Sequence, residues 1–237
     1  METAIKENNF ELVKELIESG EFDPNTRIQG KTLLMLAAKY ADSKMLQYLV
    51  KRCNVNDKAV YDPSDPTDTN GWTALHFACQ IGNYENVLYL LEHGADTKIT
   101  TDQGVYPFSI WLFNCNNNTV SDVKYILKRL YPGSEVIYKD IINDVIWCHS
   151  GRRLIEIIRI LASFGADIND SSYKTPLHLV CESNMSDEFI KETLETLIEL
   201  GSDPFLKGAN ISALEYTMGA KTRNWMAEVM LEKYNSK

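Results

Sequence analysis

The sequence predicts an all-α solenoid of about seven stacked helix-turn-helix units with hairpin-like tips and degenerate central repeats. Three observations predict it. Segments recur with a period near 33 residues: Thr73 and Thr175 sit in matching stretches 102 residues apart, three periods of 34. Each clear copy opens with residues suited to a helix start, and each closes on an apolar stripe followed by Gly. A unit this small cannot bury both its faces alone, so neighbours must stack.

The units follow in order along one expected domain, residues 1–237. The first, 1–26, keeps only the second half of the pattern, from Asn8 to Asp23, and is expected to cap the stack. The second, 27–57, opens with Gly30-Lys31-Thr32-Leu33-Leu34-Met35-Leu36-Ala37-Ala38 and continues with an apolar helix from Met45. An insertion at 58–67 follows, because Gly30 to Gly71 spans 41 residues against 33 from Gly71 to Gly104. Residues 57–68 carry four Asp and one Lys, a net charge of −3, with Pro63 and Pro66 stiffening the chain. The third unit, 68–99, is the clearest. Thr73 suits an N-cap, Gly82-Asn83 a turn, Val87, Leu90 and Leu91 one apolar stripe, and Gly94 a left-handed helix stop.

The fourth unit, 101–133, starts at Gly104-Val105-Tyr106-Pro107-Phe108, and Asn114-Cys115-Asn116-Asn117-Asn118 lengthens the turn to its second helix at Val123–Leu130. The fifth, 134–169, has no opening motif between Ile141 and His149, only a second helix from Leu154. The sixth, 170–206, restores the motif as Lys174-Thr175-Pro176-Leu177-His178, with Pro176 at the first helical position, where no N–H partner is lost. The seventh, 207–237, keeps an apolar helix at Met226–Tyr234 and forms the other cap.

These residues resemble the ankyrin repeat, whose pattern is G-x-T-P-L-H-x-A-A, an apolar V-x-x-L-L helix, then G-A-D; the match is most specific from Gly71 to Asp96. The resemblance implies a protein-binding module that holds its partner with the hairpin tips before each G-x-T and with the residues that end each first helix. Carried over position by position, it gives Ile28, Gln29, Lys31, Lys39 and Tyr40; Thr69, Asn70, Trp72, Gln80 and Ile81; Asp102, Gln103, Val105, Phe113 and Asn114; Ser171, Ser172, Lys174, Glu182 and Ser183. Trp72 stands out because Trp is enriched at binding hot spots, provided its ring points outward rather than onto the acidic loop. Degenerate repeats, Asn-rich turns and the insertion also resemble the ankyrin proteins that viruses and intracellular bacteria deploy inside host cells.

Composition is that of an ordinary globular chain: 44% hydrophobic and 24% charged residues over 237, with a formal charge of −9. That charge disfavours nucleic acid and anionic lipid as partners. No apolar run reaches the ~18 to 20 residues a membrane span needs, and the acidic start lacks the apolar region of a secretion signal. Five cysteines, an odd number without a C-x-x-C pair, argue against disulfides and zinc and for a reducing cytoplasm, the host's in the case of a pathogen effector. The chain is expected to be monomeric, to need no cofactor, and to bind another protein.

Few residues suggest catalysis. His76/Cys79 and His178/Cys181 share one helix face each, but they occupy the same phase of the repeat and are expected to be structural. The enzymatic alternative is a thiol site at Cys148 and His149, although adjacent residues on a helix point about 100° apart. Cys115, Cys148 and Cys181 also lie 33 residues apart, which places all three in the core by repeat phase. Phosphate-loop, dinucleotide, zincin and hydrolase motifs are absent. Gly151-Arg152-Arg153 and Lys128-Arg129 read as solvated turn charges.

Overall fold

The computed structural model describes residues 1–64, 67, 69–114, 120–130, 141–148, 152–171, 174–208, 210–219 and 224–236. Within them lie fourteen helices and two short hairpins, arranged in two compact units, Met1–Asn118 and Thr119–Lys237. Among the described residues no helix is long and apolar enough to cross a membrane.

The first unit holds α1 (Glu2–Lys6), α2 (Phe10–Glu18), α3 (Leu33–Tyr40), α4 (Ser43–Val50), α5 (Ala74–Ile81), α6 (Tyr84–Glu92) and α7 (Pro107–Asn114). Alternate helices form the layers: α1, α3, α5 and α7 pack in one row, and α4 packs on α6 in the other. Between the rows lie Leu34, Met35, Leu75 and Phe77 from the first helices and Leu46, Leu49, Val87 and Leu90 from the second, all buried. Local chemistry sets each boundary. Thr32, Asp42 and Asn83 accept from the backbone N–H of Met35, Met45 and Asn86 to cap α3, α4 and α6. Asn8 and the Met45 N–H also hold the Asp42 carboxyl below its ordinary range. Gly82 ends α5 in the left-handed region at φ 69°.

The tip before α3 is an antiparallel hairpin of β1 (Arg27–Ile28) and β2 (Lys31–Thr32), pairing Arg27 with Thr32 and Ile28 with Lys31. Its two turn residues, Gln29 and Gly30, have φ of 47° and 72°, the signature of a type I′ turn. At the following tip Gly71, with φ 76°, leaves room that any Cβ would take from the Asp102 carboxylate and backbone.

The second unit holds α8 (Val120–Leu130), α9 (Ile141–Cys148), α10 (Arg152–Ser163), α11 (Pro176–Glu182), α12 (Asp187–Leu200), α13 (Ala213–Gly219) and α14 (Trp225–Asn235). Here α9, α11 and α13 form one row, and α8, α10, α12 and α14 the other. Val145, Ile157, Leu161, Val180, Leu194, Leu197 and Met230 fill the space between. A second hairpin, β3 (Lys207–Gly208) with β4 (Ile211–Ser212), precedes α13.

Candidate partner-binding face

The motif threonines and histidines build the frame first. The Thr73 N–H donates to His76 Nδ1 at 3.0 Å, and His76 Nε2 reaches the Val105 carbonyl at 3.2 Å, which lies in the next tip. Accepting at one nitrogen and donating at the other requires the neutral ring, and burial pushes His76 down to about 4. His178 repeats the arrangement, with Nδ1 2.7 Å from Thr175 Oγ1 and Nε2 3.0 Å from the Ile211 carbonyl, and burial lowers it too. Each histidine therefore ties its helix start to the following tip. Cys79 and Cys181 are buried, and burial raises the Cys79 thiol. No trio of His, Cys, Asp or Glu among the described residues is placed to hold a metal ion.

In the first unit the backbone joins successive tips. The Val60 N–H donates to the Gly30 carbonyl at 3.0 Å, the Ala59 N–H to the Trp72 carbonyl at 2.6 Å, the Gly71 N–H to the Ala59 carbonyl at 2.9 Å, and the Asp102 N–H to the Asn70 carbonyl at 3.2 Å. Gln29, Asp102, Gln103 and Val105 are exposed on these tips, while Ile28 and Asn70 are half-buried. Lys31 and Thr69 fall short of the expectation that they present surface: only 5% and 7% exposed, their side chains belong to the tip's interior. Trp72 does not point freely outward. Its ring leans back on α5, 5.1 Å from Phe77 and 5.9 Å from His76, half-buried.

At the ends of the first helices, Lys39 and Gln80 are half-buried, and Tyr40 and Ile81 are 42% and 52% exposed. Phe113 and Asn114 end α7, but their side chains lie outside the described residues. The inserted loop is partly neutralised at its base: Arg27 meets Asp57 at 3.5 Å and Lys58 meets Asp102 at 3.4 Å. Asp62 accepts from the Ser64 N–H and hydroxyl, whereas Asp65 and Asp68 lie outside the described residues. Beside its acidic residues the loop also exposes Val60 and Tyr61.

In the second unit Ser171 is exposed and Ser172 lies outside the described residues. Lys174 and Glu182 pair with each other, Nζ 2.6 and 2.8 Å from the two carboxylate oxygens, and the Ser183 hydroxyl donates to the Val180 carbonyl at 2.7 Å. A surface residue missed by sequence reasoning is Trp147, 73% exposed near the end of α9. Its register follows from Asn143, whose Nδ2 donates to the Lys174 carbonyl at 3.2 Å, the contact that His76 and His178 make one residue before the next helix-capping position. With Asn143 in the histidine's place, Trp147 takes the place of Gln80 and Glu182. Cys148 then takes the helix position of Ile81 and Ser183, two residues on from that of Cys79 and Cys181; whether its sulfur lies in the core, as the 33-residue spacing implies, falls outside the described residues. The Cys148 side chain, Cys115 and His149 lie outside the described residues, and the thiol alternative with them.

Residues 1–101 match the family of ankyrin repeats in three copies. Over 111 residues, 45% of this chain, the sequence is 38% identical to the ankyrin repeat and SAM domain-containing protein 6 of Mus musculus; the matched stretch covers 11% of that protein. The fold is similar to the human ASB11 ankyrin repeat domain, with a TM-score of 0.69 over 98% of this chain and 96% of that one at 18% identity. It is also similar to the ankyrin repeat domain of Bcl-3, with a TM-score of 0.66 over 97% and 96% at 19% identity. At such identities the likeness is one of fold.

Proposed function

From a chain whose residues 1–101 are ankyrin repeats and whose helices take the ankyrin-repeat fold, we infer a non-catalytic module that binds a partner protein through its hairpin tips and the ends of its first helices. Ankyrin repeats are generally protein–protein interaction modules, and rigid stacked units lower the ordering cost of binding. The observation that carries the reading is the recurrence of a large exposed side chain at one phase of adjacent helices: Tyr40 closes α3 and Ile81 closes α5. Single exposed apolar residues are ordinary, but the same phase repeated on packed neighbours makes a continuous contact strip beside the tips.

The setting we propose is a cytoplasm, that of a host cell for a pathogen effector, supported by free thiols at Cys53 and Cys79. The test is an affinity pull-down from a eukaryotic lysate with the wild type and with Trp72→Ala plus Ile81→Ala, both checked for helicity by circular dichroism. Loss of a specific cytosolic protein with helicity retained is the expected result. An unchanged captured set overturns the binding face, and capture of secretory proteins alone overturns the setting.

A further inference from the structure

Within this strip one ammonium group is held in place by aromatic rings. Lys39 Nζ lies 5.1 Å from the centroid of the Tyr40 ring and 5.8 Å from that of Phe77, and Phe77 in turn meets Trp72 at 5.1 Å. Ring faces attract a cation at such distances, so the group has a defined location. Other cations of the first unit are paired with carboxylates: Lys6, which reaches the same Tyr40 ring at 5.4 Å, with Glu2 at 2.7 Å, Arg27 with Asp57, and Lys58 with Asp102. Lys39 has no carboxylate within ion-pair distance among the described residues. Lys39 is half-buried, and an incoming carboxylate supplies the charge-assisted partner that its ammonium lacks among the described residues.

We propose that Lys39 anchors a carboxylate of the bound partner, and that Tyr40, Trp72 and Ile81 take the apolar side chain next to it. The partner is then a protein segment in which Asp or Glu adjoins a large aliphatic or aromatic residue. A nucleic acid fits poorly, because Asp62 and Asp102 on the adjoining tips repel a chain of phosphates. This assignment rests on reading the strip as a docking face and adds the sign of the charge it receives.

Panning a phage library of short random peptides on the intact chain tests it. Enriched sequences should carry Asp or Glu beside a large apolar residue. Fluorescence anisotropy with the best synthetic peptide should show binding about tenfold weaker to Lys39→Glu and within about threefold for Lys39→Arg. Exchanging the peptide's carboxylate for Lys should restore binding to Lys39→Glu, a readout that a merely misfolded variant cannot give. Peptides weakened by Trp72→Ala but indifferent to Lys39→Glu overturn the carboxylate anchor and leave the docking face standing. Enriched peptides without acidic bias, or a single-stranded oligonucleotide bound as tightly as the peptide, overturn the proposal.

Discussion

His76 must stay neutral to make both of its hydrogen bonds. A second proton on the ring would have to enter Nδ1, which already accepts from the Thr73 N–H. The folded ring titrates at about 4 against 6.5 when free, so the unfolded chain binds more protons between those values. The stabilisation is therefore complete above pH 6.5 and is lost as the pH falls toward 4, by at most ~1.4 kcal/mol per pH unit. His76→Asn puts in the side chain that Asn143 uses at the same place. Urea unfolding of this variant is expected to be less steeply pH-dependent than that of the wild type between pH 6.5 and 4; equal slopes would show that the ring titrates normally. This residue was legible because Thr-x-x-His is local. Trp147 was not legible: the fifth unit lacks the G-x-T motif that anchors the register, and the cysteine period pointed two residues away.

Adjacent helix pairs are joined by more than apolar contact. Asn56 Nδ2 donates to the Gly94 carbonyl at 3.0 Å while its Oδ1 accepts from the Asp96 N–H at 2.8 Å. In the second unit Asn169 does the same to Gly201 and Asp203, at 3.0 and 2.9 Å. Each amide thus clamps the end of its own unit to the glycine turn of the next. Asn56→Ala removes a donor and an acceptor together, and an expected loss of about 1–2 kcal/mol is measurable by urea unfolding; a loss below about 0.5 kcal/mol would mean that water replaces both bonds. Helices and turns were legible from caps, glycines and apolar spacing. The clamps were not, because an Asn before an Asp in a polar turn gives no sign of a partner 32 to 40 residues away.

On the scale of the whole chain, contacts fall into Met1–Asn118 and Thr119–Lys237. Stability in stacked repeats is close to a sum of unit and nearest-neighbour terms, so damage should spread mainly to adjoining helices. Leu75→Ala, emptying a fully buried site between α3, α5 and α7, is expected to speed amide hydrogen exchange in α3–α7 far more than in α10–α14. Equal acceleration across both would mean that residues 1–237 unfold as one cooperative domain. The solenoid class was legible from the period alone, since only stacking buries faces that recur every 33 residues. The boundary near residue 118 was not, because the contacts that divide the chain are long-range.

The backbone bonds of Ala59 and Val60 to Gly30, Gly71 and Trp72 close the long tip below its inserted residues. The exposed residues above that closure, Tyr61, Pro63 and Ser64 among them, can be replaced or extended without shifting the register of a single helix. Selection can therefore retune recognition there at a pace decoupled from the folding requirements beneath, and an engineer could graft a foreign loop at the same point.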